Sequence, residues 1–255
     1  MERPTLIMKK SKMMKSEQKN TEGSISDYII ENNQQFLVMN KPGGMPAQDD
    51  GTKDSSLHQL AEIYCKHPVK VVHRIDRPSS GLVVLAKNKK AAMELSRQWK
   101  TRDISKFYLA VVSKKGKIKE GKWEDLLWHN RKNNKSYVVD QMDDGAKLAE
   151  MEVEVLGEID RYRLLGIKLI TGRHHQIRAQ LSHAGFPIKG DVKYGARRGH
   201  KDRSIRLHAQ QLQLSHPVSG ERVSLQSAVP DDGVWRAFDE KLPDLRLFED
   251  LSESK

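Results

Sequence analysis

Between Trp123 and Ile170 the chain repeats a period of two, and this limits the folds open to it more than any other feature. Met151, Val153 and Val155 alternate with Glu150, Glu152 and Glu154, and Leu165, Ile167 and Leu169 repeat the pattern after a turn at Gly157–Arg161. Such alternation sends one row of side chains into a core and the other into water, the mark of a half-buried strand. Strands joined by short connections favour an antiparallel or mixed sheet over repeated strand-helix-strand units. Upstream, Tyr28–Ile30, Phe36–Met39, Val69–Val72 and Leu82–Ala86 read as short strands. Ser105–Val112 is a longer one, with Tyr108 in register with Lys106 and Ala110 and opposite Phe107, Leu109 and Val111. Helices are expected at Leu57–Cys65, from Asn88 as N-cap to Trp99, and on the stripe Ile177, Leu181, Ala184 ended by Gly185. The expectation is an α+β fold: a mixed, mainly antiparallel central sheet with flanking helices and a basic cleft.

A chain of 255 residues with 37% hydrophobic content is long enough to bury a core. Its formal charge of +11 points to a polyanionic partner. No apolar run reaches transmembrane length, and the first residues lack the apolar core and cleavage site of a secretory signal. The single cysteine, Cys65, excludes an internal disulfide and fits a reducing compartment, so a cytoplasmic protein is expected. Residues 1–24 read as a flexible basic tail, 25–242 as one domain with two lobes around a cleft, and 243–255 as a mildly acidic tail. A monomer is expected.

Two stretches carry chemistry. His73 to Gly81 reads His-Arg-Ile-Asp-Arg-Pro-Ser-Ser-Gly, a polar loop between two β-branched runs. It presents one carboxylate, Asp76, between Arg74 and Arg77, a setting that should keep it ionised and able to attack carbon. The second is Thr171 to Gly185, where Arg173, His174, His175 and Arg178 cluster at a helix start. Free backbone N–H groups there add to the side-chain charge and suit a phosphate or carboxylate. No carboxylate or cysteine stands at ligand spacing to these histidines, so no metal is expected. The glycine patterns of dinucleotide and nucleoside-triphosphate sites are absent, so no cofactor is expected. Lys41, in the turn-rich run Asn40 to Pro46, and the loop cations Arg197, Arg198 and Lys201 are expected to reach phosphate.

The segments HRIDRPSSGLVVLAK (73–87), KFYLAVV (106–112), TGRHHQIRAQLSHAGFPIKGDVKYG (171–195) and LHAQQLQLSHPVSGE (207–221), in this order, resemble the RluA-type pseudouridine synthases. The likeness spans residues 28 to 230; Ile75 replaces a more usual Leu, and Pro78-Ser79-Ser80 stands where Asp-Thr-Ser is commoner. The resemblance implies an RNA uridine isomerase acting on rRNA or tRNA. It gives Asp76 the role of nucleophile and Arg178 that of its ion partner; Tyr108 matches the family's strand tyrosine, expected to stack on the uracil and a candidate for the final proton removal from carbon 5. Arg74 is expected to fill the space left by the flipped base, with His73 and Arg173 among the RNA contacts.

The chemistry agrees with this. Moving uracil from a nitrogen to a carbon bond on the same ribose needs no redox partner or external energy. It does need the base out of its stack, in a closed site beside a nucleophile. Attack by Asp76 on the ribose, attack on the base, and a glycal route all stay open. A non-catalytic RNA-binding protein and a base-excising hydrolase are the rival classes; the intact Asp76 speaks against the first. The lack of a water-activating cluster speaks against the second.

Overall fold

The computed structural model describes residues 24–142 and 145–238. The expected tails therefore lie largely outside the described residues. Eleven strands form one sheet: β1 (Ile29–Asn32), β2 (Phe36–Lys41), β3 (Lys70–Val71), β4 (Ser80–Ala86), β5 (Ser105–Ser113), β6 (Gly121–Asn130), β7 (Lys135–Val139), β8 (Lys147–Glu158), β9 (Tyr162–Leu169), β10 (Leu207–Ser215) and β11 (Arg222–Gln226). Their order is β1-β2-β4-β10-β5-β9-β8-β6-β7, with β3 on β4 and β11 on β10. Only β4 and β10 run parallel; the other pairs are antiparallel, which makes the sheet mixed and mainly antiparallel, as expected. Among the described residues no helix is long and apolar enough to cross a membrane.

The helices are α1 (Leu57–Cys65), α2 (Lys89–Thr101), α3 (Gln176–His183) and the short α4 (Gly233–Arg236). Each begins or ends where its sequence directs. Ser56 and Gln59 close a reciprocal capping box on α1, and Asn88 accepts from Ala91 N at 2.9 Å on α2. Gly185, at φ +86°, ends α3 with paired bonds from Gly185 N to Ser182 O and Phe186 N to Leu181 O. Tyr28 lies in a 3-10 turn, not a strand, and β3 shrinks to two residues because it pairs with β4 only at Lys70 and Val71. The turn expected from Gly157 starts later. A bulge between Val155 and Gly157 lets β8 continue to Glu158.

Period-two burial divides the β5 side chains between two cores. Ala110 and Val112 pack with Ile167, Ile177 and Leu181 under α3, while Phe107, Leu109 and Val111 pack with Leu164, Trp235 and Phe238 on the far face. Tyr108 touches both the α3 core and the α1 core of Leu57, Ala61, Ile75 and Val83. The strand thus holds this tyrosine between two helices. Across the sheet Tyr108 pairs with Ala209, and Ala209 with Gly81. Gly81 sits at φ +114°, and a Cβ there would lie 2.4 Å from Ala209 O, so only glycine brings the strand after the 73–79 loop this close.

A buried polar relay holds the same crossing. His208 on β10, wholly buried, lies 2.8 Å from Ser80 Oγ through Nδ1 and 2.9 Å from Ser227 Oγ through Nε2. Ser227 donates to Ala209 O at 3.0 Å, so its oxygen accepts from Nε2–H and the ring fits as a neutral imidazole. Burial lowers the His208 pKa to about 4. The unfolded chain therefore takes up this proton first as pH falls, and the stabilisation present above pH 6.5 drains away towards pH 4. The expected slope from this residue is about 1.4 kcal/mol per pH unit. Urea unfolding between pH 7.5 and 5 checks it: His208→Gln should show a shallower acid loss than the parent by that amount.

Candidate active site

The 73–79 loop is gripped from two sides. Ser79 N bonds Asp76 O within it, Gly44 N bonds Arg77 O, and Ile205 N bonds Pro78 O. Lys41 supplies the inner clasp. Its side chain is fully buried, and Nζ donates to Pro42 O, Met45 O and Arg77 O at 2.9, 2.8 and 3.0 Å. Burial lowers its pKa to about 7 despite the charge of Asp76. Expected at phosphate, Lys41 instead ties the 42–45 turn to the loop, because its ammonium has no face to solvent. His73 is corrected in the same way. Its ring stacks on Trp99 at 4.4 Å, its Nε2 accepts from Val84 N at 3.0 Å, and burial holds it neutral, with a pKa of about 3.

Asp76 is paired from a distance. Arg77 turns away to Asp50, Asp54 and Gly44 O, and Arg74 is exposed, without a hydrogen bond among the described residues. The partner is Arg178 on α3, whose Nη1 lies 3.0 Å from Asp76 Oδ2 across 102 residues of sequence. Arg178 is itself fixed. Its Nε and Nη2 donate to Asp191 Oδ2 and Oδ1 at 2.7 and 2.9 Å, and its guanidinium carbon lies 4.9 Å from the centre of the Tyr194 ring. Against the pull of burial, Asp191 and Asp76 raise the Arg178 pKa, so it stays charged.

His175 also approaches Asp76, with Nε2 3.7 Å from the same Oδ2. It ends a stack of three imidazoles: His129 on His174 at 3.9 Å, and His174 on His175 at 3.8 Å. Burial first, then Arg178 and His174, bring the His175 pKa to about 2. Burial and His129 bring that of His174 to about 4. Both rings are neutral at physiological pH.

Asp76 stands where two spaces meet. Inward lies a cavity of about 70 Å³ lined by Tyr108, Ile177, Leu207, His175 and Arg178. Burial and the charge of Asp76 push the Tyr108 phenol up, so it is protonated. Outward lies a groove of about 610 Å³ edged by Arg74, Lys193, Asn134 and His174. A second groove, of about 800 Å³, shares Gly172 and His174 with it and carries Arg131, Lys132, Lys147 and Arg173. Arg173 is half committed, its Nε donating to Leu148 O at 2.8 Å. Arg197, Arg198 and Lys201 are exposed but line neither groove. A hollow of about 330 Å³ on the opposite face of the sheet, floored by Phe107 and Gly166, contains none of these groups.

The structure thus brings Asp76, Tyr108, Arg178 and Arg74 together, and leaves Lys41 and His73 outside. Sequence reasoning missed Asp191 and Tyr194, although both stand in the quoted run 171–195. Their one signal was an isolated carboxylate in a lysine-rich stretch, followed by an aromatic. A carboxylate between a small cavity and a basic groove suits covalent chemistry on one unit of a polyanion.

Known proteins agree. The RNA pseudouridylate synthase family matches residues 35–183. Ribosomal large subunit pseudouridine synthase D of Pseudomonas aeruginosa is 32% identical over 228 residues, covering 81% of this chain and 69% of its own length. tRNA pseudouridine synthase C of Pectobacterium carotovorum is 32% identical over 237 residues, covering 82% and 61%. Human RNA pseudouridylate synthase domain containing 4 superposes with a TM-score of 0.66 at 25% identity, covering 81% of this chain and 90% of its own. The chain belongs to the RluA-type RNA pseudouridine synthases, isomerases acting on RNA.

Asp191 is 1% exposed at its side chain and Asp76 25%. Removing the buried partner therefore costs more than removing the exposed one. Asp191→Asn is expected to lower unfolding stability by about 3–5 kcal/mol, and Asp76→Asn by clearly less. Urea titrations of both variants at pH 7 check the order.

Proposed function

We propose that this chain converts specific uridines of ribosomal or transfer RNA to pseudouridine, with Asp76 as nucleophile on a uridine flipped from its stack. The observation that carries this reading is the Asp76 carboxylate, oriented by a buried and doubly paired Arg178 at the neck between cavity and groove. A carboxylate aligned in advance loses little freedom on reaching its transition state. Tyr108 supplies its ring to the uracil face; because its phenol is held protonated, stacking is its part in the resting enzyme. Arg74, unpaired at the mouth, is free to enter the place the base leaves in the RNA. Arg173 and the exposed loop cations hold the flanking backbone.

The test is tritium release from RNA labelled at uracil carbon 5, with the base retained in the chain. Asp76→Asn is expected to abolish release while RNA affinity stays within a few-fold. Turnover by purified Asp76→Asn protein sinks the assignment.

The loop cations make a separate prediction. Arg197, Arg198 and Lys201 project to solvent from a segment whose Asp202 and Ser204 pack on Gly44 and Gly43 at the neck. Replacing all three with Ala is expected to flatten the plot of log affinity against log salt by about two to three units. Turnover at saturating RNA should hardly change. An unchanged slope, or a loss of turnover in place of affinity, removes this loop from the RNA-binding surface.

A further inference from the structure

His175 occupies an unusual position for its residue type. It is the N-cap of α3, yet its side chain makes no capping bond, and its backbone is left-handed at φ +52°. A non-glycine residue held there is strained, and such strain gathers at functional sites. The strained backbone turns the imidazole towards the neck, where it lines both the inner cavity and the outer groove.

The hydrogen bonds around the ring decide where its proton sits. Tyr194 Oη receives Ser136 N–H at 2.8 Å and lies 3.0 Å from His175 Nδ1. Burial raises the Tyr194 pKa to about 12, so the phenol keeps its hydrogen. With the Ser136 N–H already received, donation to His175 Nδ1 gives that hydrogen its partner. Nδ1 therefore accepts, and in a neutral ring the proton is on Nε2. That N–H lies 3.7 Å from Asp76 Oδ2, too far for a hydrogen bond, so among the described residues it is a donor with no partner. The ring remains neutral because burial and Arg178 oppose a second proton.

We propose that His175 is a catalytic residue of the isomerisation, donating from Nε2–H to a carbonyl oxygen of the departing uracil, and that Tyr194 is a positioning residue fixing this tautomer. The proposal rests on the isomerase reading above. When the bond between ribose carbon 1′ and uracil nitrogen 1 breaks, its electron pair remains on the ring and spreads to the carbonyl oxygens. Carbon 1′ is taken up by Asp76, or Asp76 takes the proton of carbon 2′ so that a glycal forms, and returns it when carbon 5 bonds to carbon 1′. A neutral N–H beside Asp76 stabilises the developing oxyanion without surrendering its proton. Once carbon 5 has bonded to carbon 1′, its hydrogen leaves as a proton and nitrogen 1 takes one up. No electron is gained or lost, and His175 ends as it began.

The experiment measures single-turnover tritium release at saturating labelled RNA, together with RNA affinity, for the full chain and for His175→Leu, His175→Gln and Tyr194→Phe. Nitrogen-15 NMR of the unmutated protein reports which ring nitrogen of His175 carries the proton. His175→Leu is expected to slow release by roughly 10²–10³-fold with affinity within a few-fold, as for loss of one oxyanion donor. His175→Gln, which keeps an N–H, should recover part of that loss. Tyr194→Phe should fall between parent and His175→Leu and mix the two tautomers. Release by His175→Leu within a few-fold of the parent, or a parent ring protonated on Nδ1, overturns the proposal. The NMR reading decides even if a variant fails to fold. A parent that releases no tritium from rRNA or tRNA overturns the isomerase reading itself, a result distinct from the other two.

Discussion

One guanidinium holds the centre of this molecule together. Arg178 is almost wholly buried, and a buried charge is tolerable only when paired and hydrogen-bonded. Asp191 provides a fork-on-fork partner and Asp76 a third hydrogen bond, while Tyr194 covers the face of the group. The planar geometry leaves little freedom: with two donors committed to Asp191, the third points where Asp76 must be. A lysine could carry the same charge but not the same direction. Three remote segments, the 73–79 loop, α3 and the turn after it, are thereby set against one another. The rest of the site is arranged around that alignment.

The loop that presents Asp76 would otherwise be a polar connection with little core of its own. Its rigidity comes from backbone groups. Lys41 collects three carbonyls, one of them from the loop, and Pro78 O and Arg77 O are taken by Ile205 N and Gly44 N. Gly43 and Gly44 permit the approach, since a Cβ on either would lie within 2.6 Å of the 202–204 segment. The polypeptide on both sides of the loop is therefore spent on holding it, which leaves only side chains free to meet a substrate.

Much of this was written in local sequence. The strands β8 and β9, the cap of α2, the Schellman end of α3 and the two faces of β5 follow from periodicity and turn residues, because each depends on neighbours within a few positions. What local pattern could not supply was pairing across distance. Arg77 looks like a partner of Asp76 because it is adjacent, yet it bonds Asp50 and Asp54, brought near by the fold. Lys41 looks like a solvent-facing turn residue, and only the return of the 73–79 loop over it makes it a core group. The Asp76–Arg178 pair was expected from resemblance alone, and Asp191 and Tyr194 were not singled out. Their importance lies in a guanidinium and an imidazole that the sequence places 13 and 19 residues away.

Charge in this protein is separated by depth. At the neck the buried Arg178 guanidinium meets two carboxylates, and the histidines beside it are neutral, so this group of side chains adds no net positive charge. Among the described residues, exposed cations such as Arg74, Arg131, Lys132, Arg197, Arg198 and Lys201 contribute to the formal excess of +11. A polyanion is attracted by that outer layer in proportion to its phosphates and to the salt around it. The inner layer is different. Buried ion pairs and fixed hydrogen bonds are only weakly screened by salt. Attraction of the strand and chemistry on one of its bases therefore answer to different variables. That division suits an enzyme that must grip a long backbone while acting on a single nucleoside: the cations that hold phosphate do not compete for the carboxylate that reacts.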